Sequence, residues 1–114
     1  MPRSPITTHV LDIARGKPAA GVKVQLEGQF NGGYKELASG ETDADGRISN
    51  LLPEGSLQSG VYRLTFNVQN YQFANQSSSF YPYVVIVFEV SDIHQHYHVP
   101  LLLSSYGYST YRGS

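Results

Sequence analysis

Turn-forming residues punctuate this chain every eight to twelve positions, and that spacing constrains the fold more than any other feature of the sequence. Segments of that length suit strands that double back on one another, so the spacing predicts a β-sandwich. A first strand is expected over residues 6–14, stopped by Arg15-Gly16-Lys17-Pro18, where proline cannot donate to a ladder. Residues 21–30 form a second, with Val22, Val24 and Leu26 on one face and Lys23, Gln25 and Glu27 on the other. Asn31-Gly32 is a hairpin dipeptide because both residues tolerate positive φ, and residues 34–42 return from it. Asp45-Gly46 makes another tight turn and launches Arg47-Ile48 as a short strand. Residues 60–68 alternate cleanly, with Tyr62, Leu64, Phe66 and Val68 inward and Val61, Arg63, Thr65 and Asn67 outward. Residues 67–79 lack a strand pattern and have room for one short helix.

Residues 82–90 behave differently. Val84, Ile86, Phe88 and Val90 face one way and Tyr83, Val85 and Val87 the other, so both faces are apolar. Residues 97–103 repeat this pattern. A strand apolar on both faces must be covered on both, and in one two-sheet sandwich the outer face would meet water. A subunit interface is therefore expected as the second cover. Charged residues are only 15% of the chain, against roughly 25% in ordinary soluble domains, which leaves apolar and aromatic surface suited to an oligomer. Nine acidic and eight basic side chains nearly cancel, so there is no basic face for nucleic acid. The absence of cysteine excludes disulfides, thiolate metal sites and cysteine nucleophiles. No apolar run approaches the roughly 18 residues of a membrane span. The opening MPRSPITTHV has no apolar signal core, so a cytoplasmic protein is expected. The length suits a single domain over residues 1–114.

The residues that could carry chemistry are few. His94, His96 and His98, three of the four histidines, alternate with Gln95 and Tyr97. On a strand they would form a row, and His-x-His can chelate zinc; the other reading is a polar strand entry with solvated imidazoles. His98 lies inside the apolar run, where an imidazole needs a partner or a purpose. Arg47, straight after the Asp-Gly turn, offers a planar fork to carbonyl or carboxylate groups, or is an ordinary surface arginine. His9 shares a face with Thr7 and Leu11 and reads equally as a hydrogen-bonded strand residue. Tyr106, Tyr108 and Tyr111 together are costly to leave exposed, so the tail is expected to dock and to carry Arg112 and Ser114 to a defined place.

Thr7-Thr8-His9-Val10, GKPAAGVKV, DADGR, FYPYVVIVFEV, HYHVPLLLS and the closing YGYSTYRGS together resemble the 5-hydroxyisourate hydrolase branch of the transthyretin-like family. The resemblance runs over residues 6–114, and its most specific part is Tyr111-Arg112-Gly113-Ser114. Hormone-carrying transthyretins are similar in fold but lack that tail and the histidine at His98. The resemblance implies an all-β, eight-stranded two-sheet sandwich with one short helix, assembled as a homotetramer. In that dimer of dimers the sites lie where the two dimers meet. It implies hydrolysis of 5-hydroxyisourate, a small purine-derived substrate, to 2-oxo-4-hydroxy-4-carboxy-5-ureidoimidazoline in urate catabolism, without a cofactor or a metal. The family's catalytic residues fall on His9, Arg47 and His98, and its substrate-binding residues on His9, Arg47, Tyr111, Arg112, Gly113 and Ser114. His94 and His96 match no catalytic position, and the family commonly has proline where Ser105 stands. On this reading His98 takes the proton of a water, His9 holds the water or shuttles the proton, and Arg47 stabilises developing negative charge. Two alternatives stay open: a carrier of a small aromatic ligand, and a metal-binding module built on the histidine row.

Overall fold

The computed structural model describes residues 4–114. Strands β1 (Ile6–Asp12), β2 (Lys17–Pro18), β3 (Lys23–Phe30), β4 (Gly33–Glu41), β5 (Arg47–Ile48) and β6 (Gly60–Asn67) lead to helix α1 (Val68–Ala74). Strands β7 (Val84–Val90), β8 (Tyr97–Leu103) and β9 (Tyr108–Thr110) follow. They form a two-sheet sandwich with one short helix, as expected. One sheet runs β2-β1-β8-β9 with β5 also on β1, and the other runs β4-β3-β6-β7. The eight expected strands are drawn as nine segments, two of them only two residues long. Pro18 was expected to end the first strand; it instead opposes Leu11, and Lys17 opposes Asp12, as an edge pair beside β1. An edge position tolerates proline because its missing N–H would have faced solvent.

The inner faces follow the alternation. Val22 just before β3, Val24 and Leu26 of β3, and Tyr62, Leu64 and Phe66 of β6 meet Ile6 and Val10 of β1 and Val99, Leu101 and Leu103 of β8. Burying one such side chain stabilises by about 1.5–3 kcal/mol, which is why a one-residue slip in any strand is heavily penalised. Asn31 and Gly32 both have positive φ, 51° and 84°, and close the β3–β4 hairpin. The turn before β9 is closed by the Ser104 N–H on the Gly107 carbonyl at 2.9 Å, and the Ser105 carbonyl accepts the Phe80 N–H at 3.0 Å.

Among the described residues all the ladders are antiparallel except one. β1 and β8 pair in parallel, from Ile6↔Tyr97 through Thr7↔His98 and His9↔Pro100 to Asp12↔Leu103. Pro100 sits in this central strand where the β8–β9 ladder has already stopped at Leu101↔Thr110. The Thr110 hydroxyl donates to the Pro100 carbonyl at 2.7 Å instead. Helix α1 docks against β1 through the Tyr71 hydroxyl, which donates to the buried Asp12 carboxylate at 2.8 Å. Among the described residues no helix is long and apolar enough to cross a membrane.

Two stability predictions follow from these contacts. Gly46 has φ of 76°, and a Cβ there would stand 2.4 Å from the Val10 carbonyl oxygen; Gly55 has φ of 80° with nothing near. Gly55→Ala should therefore show the dihedral cost alone, about 1–2 kcal/mol. Gly46→Ala should cost more, about 2–3 kcal/mol, read as a lower urea midpoint at unchanged slope. Equal losses would show that the backbone at Val10 yields. Burial, reinforced by the Asp12 hydrogen bond, raises the Tyr71 phenol above its ordinary 10.0. Its contribution to stability is then complete below pH 10.0 and lost as pH rises through the folded value. Tyr71→Phe should abolish that part of the alkaline decline in a denaturation series.

Candidate active site on the outer face of the five-stranded sheet

The parallel register places Thr7 beside His98, and the β1–β5 register places His9 beside Arg47. Directly opposed residues share a face of the sheet. The inner face of β1 is taken by Ile6, Thr8, Val10 and Asp12, all buried, so Thr7, His9 and Arg47 project from the outer one. There Thr7, Arg47, Ser49, His96, His98 and Ser114 line a cavity of about 160 Å³. Residues distant in sequence thus meet at one place.

Each side chain is held by an identifiable device. Arg47 follows a turn organised by Asp43, whose carboxylate accepts the N–H groups of Asp45 at 2.9 Å and Arg47 at 3.0 Å. The Asp43 N–H closes the loop on the Arg47 carbonyl at 2.9 Å. The Thr7 hydroxyl lies 2.8 Å from His98 Nδ1 and 2.9 Å from His96 Nε2, joining both rings. The tail is tied by the Gly113 N–H on the His98 carbonyl at 2.8 Å. Glycine is required there, since a Cβ would stand 2.5 Å from His98 Cδ2. The tail backbone therefore packs directly against the imidazole and brings Ser114 into the cavity.

The other expected residues are placed elsewhere. His9 is half-buried on the same outer face, beside Arg47, outside the set that lines the cavity. Tyr111 and Arg112 border a separate groove of about 290 Å³ with Val87, Phe88, Tyr97 and Val99. The Arg112 guanidinium stacks 4.5 Å over the Tyr97 ring and donates to Gln95 Oε1 at 2.7 Å and to the His96 carbonyl at 3.4 Å. It clasps the segment that carries His96. The expected histidine row does not form, because β8 begins only at Tyr97. His94 lies in a turn closed by its N–H on Asp92 Oδ1 at 2.9 Å and by the Tyr97 hydroxyl on the Asp92 carbonyl at 2.9 Å. Among the described residues no three histidine or carboxylate side chains gather in a way that could hold a metal ion.

Thr7, Ser49 and His96 line the cavity without being among the site residues that the sequence points to. His96 had been set beside His94 as matching no catalytic position, yet it turns toward His98 through Thr7. Thr7 was seen only as a face-mate of His9. Its link to His98 spans 91 positions of sequence and needs a parallel pairing that no local pattern announces.

A family model described as HIUase/Transthyretin matches residues 6–113. The chain belongs to the HIUase/transthyretin family. A 5-hydroxyisourate hydrolase of Salmonella typhimurium is 47% identical over 109 residues, covering 96% of this chain and 80% of that relative. The solved sea bream transthyretin in complex with thyroxine superposes with a TM-score of 0.91 at 34% identity, covering 96% of this chain and 95% of the other. Klebsiella pneumoniae 5-hydroxyisourate hydrolase gives 0.83 at 36% identity, covering 96% and 98%. The two solved relatives carry different descriptions on one fold, so in this family the sandwich does not by itself specify the function.

Gly113→Ala should push the tail off His98 while leaving the core untouched. The expected result is a change in the His98 imidazole resonances with global stability within about 0.5 kcal/mol of the parent, as for a surface change. Unchanged resonances would mean that the tail does not bear on the ring.

Proposed function

We propose that residues 1–114 are a single 5-hydroxyisourate hydrolase domain, a cyclic amide hydrolase that opens the ring of its purine-derived substrate with water to give 2-oxo-4-hydroxy-4-carboxy-5-ureidoimidazoline. The observation that carries this reading is the meeting of His98, Arg47 and Ser114 in one small cavity. The 47% identity to a hydrolase of that name supports it. So does the match of the Tyr111-Arg112-Gly113-Ser114 tail to the family's hydrolase branch.

Opening a cyclic amide or urea requires an activated water, a donor for the oxyanion and groups that orient a planar ring. An imidazole, with an ordinary pKa of about 6.5, is partly neutral near neutral pH and can accept the water proton. With His98 Nδ1 held by Thr7, that role falls to Nε2. His9, further along the same face, is assigned to hold the water or relay its proton. The Arg47 guanidinium is assigned to the substrate oxygens, where a fixed cation stabilises charge as it develops. The Ser114 hydroxyl and the Gly113 backbone complete the binding surface. Tyr111 and Arg112 contribute by fixing the tail and, through it, the His96 segment. The likeness to a thyroxine-bound transthyretin is one of fold. A lining of imidazole, guanidinium and hydroxyl groups suits bond-breaking better than the holding of an apolar ligand.

The proposed assembly is a homotetramer, a dimer of dimers with the catalytic faces at the dimer–dimer contact. Strands β7 and β9 each end a sheet with one edge unpaired. Val87 and Tyr83 beside that β7 edge are 57% and 60% exposed in the single chain, an arrangement that a second copy would cover.

The deciding assay generates 5-hydroxyisourate with urate oxidase and follows its ultraviolet decay. The protein should accelerate the decay well above the spontaneous rate; no acceleration would end the hydrolase reading. His98→Asn, His9→Asn and Arg47→Lys should each slow the reaction about 10²-fold or more with the fold intact by circular dichroism, whereas His94→Asn should change little. For the assembly, Val87→Lys should shift sedimentation from tetramer to smaller species. A parent that sediments as a monomer would refute the proposed tetramer.

A further inference from the structure

We infer that Thr7 is a positioning residue: its hydroxyl, shared between His96 and His98, holds His98 as the Nδ1–H tautomer and so makes Nε2 the basic nitrogen. This rests on the hydrolase reading above and deepens it. The Thr7 oxygen stands 2.9 Å from His96 Nε2 and 2.8 Å from His98 Nδ1, and the residue is 7% exposed. A hydroxyl carries one proton and two lone pairs. It can donate to only one of the two rings, so the facing nitrogens are never both bare. When both rings donate, the hydroxyl proton goes elsewhere and His98 is the Nδ1–H form. When the hydroxyl donates to one of these rings, two arrangements satisfy the trio. In one, Thr7 donates to His96 and accepts from His98 Nδ1–H. In the other, Thr7 donates to a bare His98 Nδ1 and accepts from His96 Nε2–H.

Only the first leaves a usable base. In the second, the lone pair of neutral His98 is at Nδ1, already spent on the Thr7 proton and turned away from substrate. In the first, the lone pair is at Nε2, and protonation there leaves Nδ1–H already donating to Thr7. The step balances without any proton crossing Thr7: a water O–H breaks, Nε2–H forms, and the hydroxide oxygen bonds to the ring carbonyl carbon. His96 is the acceptor that makes this arrangement possible, because it receives the hydroxyl proton. Gly113 adds the second constraint. Its backbone packs at His98 Cδ2, and a half-turn of the ring would exchange Cδ2 with Nδ1 and break the bond to Thr7. Among the described residues, the titratable and charged side chains on this face include His96 and Arg47, which line the cavity with His98, and, further along, His9.

The test uses the full chain with ¹⁵N-labelled histidine. In the parent, neutral His98 should show the Nδ1–H pattern in long-range ¹⁵N–¹H spectra, and Thr7→Val should convert it to a mixture. In the urate oxidase-coupled assay Thr7→Val should lower kcat about tenfold to a hundredfold with KM within about twofold. The pH limb belonging to His98 should move to lower pH, because an acceptor that favoured the imidazolium is gone. Thr7→Ser, which keeps the hydroxyl, should restore kcat and the profile. His96→Ala should lower kcat as well, and the Thr7→Val/His96→Ala pair should be no worse than the poorer single variant. A parent His98 in the Nε2–H form, or Thr7→Val at parental kcat with an unmoved pH profile, overturns the inference. An inactive parent would instead sink the hydrolase reading, and the tautomer spectra would still decide the role of the hydroxyl.

Discussion

The parallel ladder between β1 and β8 is the constraint on which the rest of the molecule hangs. Each strand is central in its sheet, and together they supply the inner-face residues Ile6, Val10, Val99 and Leu101. Their register does two jobs at once. It buries apolar side chains on one face, and on the other it sets Thr7 beside His98 and His9 near Arg47. Because side chains alternate with a period of two, core and site cannot be shifted independently. A slip that spoiled the cavity would also turn the apolar set out of the core, so the packing energy of the sandwich holds the geometry of its polar face.

Much of this arrangement was legible in the sequence. The strand faces of β3 and β6, the Asn31-Gly32 hairpin and the turn ahead of Arg47 rest on local chemistry that reads directly: alternation, positive φ and an Asp side chain that caps its own loop. The short helix α1 falls within residues 67–79, where the strand pattern lapses. Non-local relations were less accessible. That β1 and β8 run parallel depends on how the whole sandwich closes, and that Lys17–Pro18 lies along β1 depends on how the chain turns back after Asp12. The histidine row failed for a similar reason. Alternation in HQHYH looks like strand, yet Asp92 gathers the N–H of His94 and the Tyr97 hydroxyl into a turn, and the strand starts after it. The residue types were read correctly, but the extended backbone assumed for them was not there.

The tail shows how one surface is divided between two tasks. Arg112 clasps Tyr97 and Gln95, while the Gly113 backbone packs on His98 and Ser114 lines the cavity. Glycine is the residue that lets backbone approach an imidazole edge without a Cβ between them. Anchoring and site-building thus share a tetrapeptide without competing for space.

The long separation within the β1–β8 ladder also governs when the molecule can come into being. A chain leaving the ribosome presents β1 first, yet its main partner is not made until residues 97–103 have emerged. Until then Ile6 and Val10 lack their neighbouring strand in the sheet, and closing so distant a pair is a slow step in any folding reaction. Meanwhile the β3–β4 hairpin can form, and β6 can join β3 as soon as it is made. The cavity residues Thr7 and Arg47 are synthesised early and wait, without a site, for the last strands to arrive.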